Sequence, residues 1–72
     1  MITAEDFGCL VKNTRKKAKL TQSGLAIASG VGERFVRELE KGKSTCQLGK
    51  ALWVAERLGI KFEVTLPRNF DE

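Results

Sequence analysis

Arg34, Arg37 and Lys41 stand at i, i+3 and i+7, a spacing that on a helix gathers three cations into one outward stripe. Such groups suit a polyanion. An Arg can donate a bidentate pair to the O6 and N7 edge of guanine in a major groove, and any of the three can meet phosphate. Arg34 and Arg37 are the expected base readers, and Glu33 is a further candidate as an acceptor from cytosine N4. The competing arrangement is a solvated surface on which Glu33 pairs with Arg37, and Arg34 with Glu38, at i, i+4, each pair worth ~0.3 to 0.5 kcal/mol. The two are compatible, because a carboxylate beside an Arg can aim it toward a base.

Other chemistry is poorly supplied. The chain has no His and no Tyr, and its acids are scattered over helix surfaces without a pocket that 72 residues would readily enclose, so catalysis is not expected. Cys9 and Cys46 lie far apart with no second ligand pair near either, which disfavours a zinc site or a disulfide framework. Both are read as reduced thiols, and neither a metal nor a cofactor is expected.

The balance of 13 Lys and Arg against 9 Asp and Glu gives a net charge of +4 and a pI near 9.4, which favours a polyanionic partner. No apolar run approaches the ~20 residues of a membrane span. The opening residues Met1 to Asp6 lack the basic then apolar pattern of a signal peptide, so a cytoplasmic protein is expected. A 72-residue chain supports one domain and buries only ~60% of its unfolded surface, so a partner chain would add welcome stability.

The elements that must hold the cations follow from periodicity. Thr3 with Asp6 three residues on reads as a capping box, and Phe7, Leu10, Val11, Thr14 and Ala18 continue an amphipathic helix from about Ala4 to Lys19. Thr21 is a good N-cap for a second helix, Gln22 to about Ser29, with Gly30 in the turn after it. Gly24 inside that helix costs ~1 kcal/mol relative to Ala, which implies a frayed helix or close approach to another chain. The third helix, about Glu33 to Lys41, turns Phe35, Val36 and Leu39 inward and ends at Gly42. Ser44 or Thr45 caps a fourth helix whose buried stripe is Leu48, Ala51, Leu52, Ala55 and Leu58, flanked by Trp53 and Val54 and closed by Arg57 and Gly59. Ile60, Phe62, Val64 and Leu66 then alternate with polar residues up to Pro67, the pattern of a half-buried strand.

Two short helices joined by a tight turn need a small residue inside the first and a turn-former between them. Ala26 and Gly30 meet both needs, while Leu25, Val31, Val36 and Leu39 seal the pair against the flanking helices. The frame Leu-Thr-Gln-x-x-Leu-Ala-x-x-x-Gly-Val from Leu20 to Val31 resembles the Cro/repressor (Xre) helix-turn-helix family. That resemblance implies an all-α, lambda-repressor-like bundle of four to five helices. The expected layout is a DNA-binding domain over residues 1–59, a C-terminal dimerising strand over 60–67 and a mobile tail over 68–72. It also implies that Gln22 contacts the DNA backbone or braces a base-reading side chain, while Thr21 caps a helix whose N-terminus faces phosphate. Gly32, Lys41 and Lys43 join them as expected backbone contacts. At most two of Lys12, Arg15, Lys16, Lys17 and Lys19 should touch phosphate, since only one side of that helix can face DNA. Family members often pair an Arg in the first helix with a Glu in the helix-turn-helix, a part that Arg15 and Glu40 would take here.

A solitary amphipathic strand leaves backbone groups unpaired, and nothing else in the chain can form a ladder with it. The simplest completion is the same strand of a second copy, with Ile60, Phe62, Val64 and Leu66 at a two-fold interface. The resulting homodimer would address an inverted repeat in double-stranded DNA with half-sites about one turn, ~34 Å, apart. The stretch from Gly32 to Thr45, with Gln47 to Leu52 and a terminal strand, is more narrowly similar to the HipB-like antitoxins. That similarity implies a repressor of its own operon that binds a HipA-like kinase toxin, with Phe70 as an anchor for that partner. The alternatives are a stand-alone phage-like or metabolic regulator of the same family, or an interaction module without specific DNA binding in which Trp53, Phe62 and Phe70 serve a protein.

Overall fold

The computed structural model describes residues 2–67. Four helices follow one another: α1 (Ala4–Lys17), α2 (Gln22–Ser29), α3 (Glu33–Glu40) and α4 (Leu48–Arg57). None is long and apolar enough to cross a membrane. The capping box forms as expected: Asp6 N–H donates to Thr3 Oγ1 at 3.0 Å and Thr3 N–H to Asp6 Oδ2 at 3.1 Å.

α1 stops two residues before the expected Lys19. Lys19 takes φ 60, and the N–H groups of Lys19 and Leu20 donate back to the carbonyls of Lys16 and Arg15. This is the paired-bond closure that ends a helix at a left-handed residue. The same pair of bonds closes the other three helices at Gly30, Gly42 and Gly59. After α3 the chain continues turning through Lys43 to Cys46, so α4 begins later than Ser44 or Thr45 would allow. Its N-cap is Gln47, which makes no side-chain capping bond.

The core is built from Val11, Leu25, Ala26, Val36, Leu39, Ala51, Val54 and Ala55, with Phe7, Val31, Phe35, Leu58 and Ile60 packed around it. Two expected stripes are rotated. In α4 the buried edge is Ala51, Val54 and Ala55, while Leu48 is 70% and Leu52 39% exposed. The apolar arc of α4 is wider than one contact face, and the small side chains of Ala51 and Ala55 permit the closer approach. In α1 the inward residues are Gly8, Val11 and Arg15, whereas Leu10 and Ala18 are exposed. Gly8 is required there. A Cβ at that position would clash with the main-chain oxygen of Leu39 and reach 2.9 Å from that of Glu40, so only glycine lets α1 touch the end of α3.

The strand expected over 60–67 is not formed: among the described residues the segment has no ladder. The four helices satisfy their own backbone groups and offer no edge to pair with. Ile60 packs on the core, the Phe62 ring stacks on Phe7 with centroids 6.1 Å apart, and Phe62, Val64 and Leu66 remain exposed. Residues 68–72, including Phe70, lie outside the described residues.

Candidate nucleic-acid interface

Thr21 opens α2 by accepting a hydrogen bond from the Gly24 N–H at 2.9 Å. A Cβ on Gly24 would stand 3.2 Å from that same Thr21 Oγ1, so the tight contact at this glycine is with its own cap. Gly30 and Val31 turn the chain, and α3 starts behind Gly32, an exposed N-cap without a side-chain capping bond. Trp53 Nε1 of α4 donates to the Ser29 carbonyl at 2.8 Å, tying α4 to the end of α2. The indole N–H needed a partner once half-buried, but no spacing in the chain singled out Ser29.

The pair is held from beneath by a charged cluster. Arg15 Nε and Nη2 donate to Glu40 Oε2 and Oε1 at 2.6 and 3.0 Å, and Nη1 donates to the Leu20 carbonyl at 2.8 Å. Gln22 Nε2 donates to Glu40 Oε1 at 3.0 Å. The side chains of Arg15 and Glu40 are only 9% and 3% exposed. Burial by itself pushes the Glu40 carboxyl up, but the hydrogen bonds from Arg15 and Gln22, with the positive charge of Arg15 and Lys12, outweigh it and hold the group below its ordinary range. The same carboxylate raises the Arg15 guanidinium through their hydrogen bond. One cluster thus joins α1, the start of α2 and the end of α3, forming the pair that family resemblance implied for Arg15 and Glu40. Gln22 is engaged in bracing this pair, not standing free in solvent.

On the opposite side α3 presents its charged face. Arg34 Nε donates to Glu38 Oε2 at 3.1 Å, and Lys43 Nζ donates to Glu38 Oε1 at 3.2 Å. Arg37 Nη1 lies 3.8 Å from Glu33 Oε2. Both i, i+4 pairs anticipated from the sequence are therefore formed, and the arginines stay accessible, with side chains 81% exposed for Arg34 and 47% for Arg37. Hydrogen bonding from Lys43, then from Arg34, holds the Glu38 carboxyl below its ordinary range. Lys41 is exposed at the C-cap of α3. The structure gathers Arg34, Glu38 and Lys43 into one group, Arg37 and Glu33 into a second, and Gln22 into the buried cluster. Thr21 and Gly32 mark the starts of α2 and α3.

The part of Glu38 as a shared acceptor was not legible in sequence, because Lys43 lies five residues on, past the end of α3, outside any helical register. Of the basic run through α1 and the turn after it, Arg15 is taken by the buried cluster and Lys12, Lys16, Lys17 and Lys19 are exposed. Among the described residues no three His, Cys, Asp or Glu side chains are grouped to hold a metal ion.

No family model matches the chain. An uncharacterized HTH-type transcriptional regulator of Sinorhizobium fredii is 45% identical to it over 65 residues, spanning 90% of this chain and 86% of that protein.

Proposed function

Since this chain belongs to the HTH-type transcriptional regulators, we propose that it is a repressor that binds an inverted-repeat operator as a homodimer. The observation that carries this reading is the division of labour on α3. Its end is clamped by Glu40 to Arg15 and Gln22, while Arg34 and Arg37 hold exposed guanidinium heads on the other side. A helix so braced enters the major groove with its base-reading groups already placed. Arg34 and Arg37 read guanine edges, Glu33 orients Arg37 or accepts from cytosine, and Lys41, Lys43 and the amides after Thr21 and Gly32 meet phosphate. Nothing in this role calls for catalysis, and the protein works in the cytoplasm, where its operator is.

Dimerisation is supported by the apolar side chains one chain leaves uncovered. Leu48, Leu52 and Trp53 on α4 and Phe62, Val64 and Leu66 after it are all at least 39% exposed, and Leu52 and Phe62 each line two neighbouring clefts. A second copy covers them and gives residues 60–67 a partner for the backbone groups they leave unpaired.

The test is a fluorescence anisotropy titration against the duplex upstream of the gene and a scrambled duplex at ~0.15 M salt, where weak non-specific attraction is screened. Preferential binding to an inverted repeat with two chains per site is expected; equal, weak binding to both would favour the interaction module instead. The narrower reading, an antitoxin that represses its own operon and captures a HipA-like kinase, rests on the pattern from Gly32 to Leu52. It is checked by co-expression with the product of the adjacent reading frame. A complex that tightens operator binding is expected, and a neighbour unrelated to such a kinase would leave a stand-alone regulator.

A further inference from the structure

A carboxylate on a surface meant for DNA is a cost, because it faces phosphate. Glu38 sits in the last turn of α3, on the face that carries Arg34, with its side chain 30% exposed. Its two oxygens are divided between different cations: Oε2 accepts from Arg34 Nε and Oε1 from Lys43 Nζ. The two bonds act from opposite ends of the recognition helix, since Arg34 lies in its first turn and Lys43 beyond its last.

From this geometry we propose that Glu38 is a positioning residue for sequence readout: it fixes the direction of Arg34 so that the guanidinium presents a defined edge to one base pair. The inference rests on the repressor reading above. Bonding at Nε takes up one donor and one rotational freedom of the side chain and leaves both terminal nitrogens free, and two parallel donors are what a bidentate contact with guanine O6 and N7 requires. The Arg34 side chain is 81% exposed, so no packing holds it and Glu38 is its only hydrogen-bonding partner among the described residues. Lys43 performs the complementary task. Its ammonium balances part of the Glu38 charge, while its remaining donors are free for phosphate. The acid thereby links a base-reading group to a backbone-contacting group, and its repulsion of phosphate is offset locally.

Two roles for Glu38 predict different outcomes. A carboxylate that only repels DNA weakens every duplex alike, so removing it strengthens cognate and scrambled sequences by the same factor and leaves their ratio unchanged. A positioning carboxylate moves the ratio. The experiment starts from a duplex selected by the wild-type chain out of a randomised pool, with a scrambled duplex beside it, and compares wild type, Glu38→Gln, Arg34→Ala and the double variant. Glu38→Gln keeps the size of the side chain and removes the charge, and a thermal melt confirms that it folds. The cognate-to-scrambled ratio is expected to fall roughly five- to tenfold in Glu38→Gln, a part of the discrimination a bidentate contact supplies. The loss should be confined to the base pair that Arg34→Ala also ceases to distinguish, and Glu38→Gln should cost no further discrimination in the Arg34→Ala background. A preference by the wild type together with an unchanged ratio in Glu38→Gln overturns this inference alone. A wild type that selects no preferred sequence overturns the repressor reading and this inference with it.

Discussion

The molecule carries the same chemical pair, an Arg and a Glu, in two very different settings. Arg15 and Glu40 meet in a bidentate contact almost sealed from water and share their remaining bonds with Leu20 and Gln22. Arg34 and Glu38, like Arg37 and Glu33, meet through single contacts on an open helix face. The charges are alike; the number of hydrogen bonds and the exposure differ. In water an ion pair gains little, so these pairs leave guanidinium donors of the surface arginines open to solvent. Out of water a broken pair leaves a bare charge, so the buried one cannot open and serves as a rivet between α1, α2 and α3. The fold holds both, one pair sealed in its interior and others on its open face.

The largest effect should come from breaking the buried pair. Glu40→Ala is expected to cost about 3 to 5 kcal/mol, because Arg15 is left buried without its partner. That is a large share of the roughly 4 to 11 kcal/mol that a domain of this length holds. Urea denaturation would show it, and a loss below about 1 kcal/mol would mean that water reaches the cluster.

The same carboxylate sets an acid limit. Its folded pKa lies below the ordinary 4.5, so its contribution is complete above that value and disappears as pH falls through the lowered one. The urea midpoint of the wild type should therefore drop between pH 5 and pH 3, and Glu40→Gln should show a smaller drop across the same range.

Gly8→Ala attacks the cluster from the backbone. The added Cβ meets the main-chain oxygens of Leu39 and Glu40, so a destabilisation of about 1 to 3 kcal/mol is expected from overpacking. Thermal melts at constant ionic strength would check it, and a neutral result would mean that α1 can slide away without disturbing Arg15.

The surface pairs should respond in the opposite sense. Arg37→Ala is expected to weaken operator binding by ~1 to 3 kcal/mol while shifting stability by no more than ~0.5 kcal/mol. If stability fell and binding did not, the assignment of the two settings would be reversed. Lys43→Ala should be milder still, weakening cognate and scrambled DNA alike and lowering the salt slope by about 1.

Much of the fold was legible because its signals are local. The Thr3 and Asp6 box, the Thr21 cap, the glycines that close α2, α3 and α4, and the small Ala26 before the turn each act within a few residues of chain, where spacing alone carries the information. The site was legible to the same depth: the two i, i+4 pairs on α3 formed as their spacing implied. Two errors are local, since a left-handed Lys19 ends α1 and Gln47 rather than Ser44 or Thr45 starts α4; the others fall where a choice depended on distant neighbours. Leu10, Leu48 and Leu52 fit the helical period yet stay exposed, because the inward edge of each helix is selected by what packs against it. The segment 60–67 alternates like a strand but forms none within the chain, since a ladder needs an edge that four helices do not provide.

By itself, then, the sequence determined the helix-turn-helix frame, the run of cations along its third helix and both ends of α2, because propensity, capping and periodicity operate over one or two turns. Only the tertiary structure decided how deeply the Arg15 and Glu40 pair is buried, that Gln22 belongs to its cluster, that Gly8 is the point where α1 and α3 touch, and that Glu38 serves two cations at once. Those outcomes depend on which groups the packing removes from water, and burial is a property of the assembled chain.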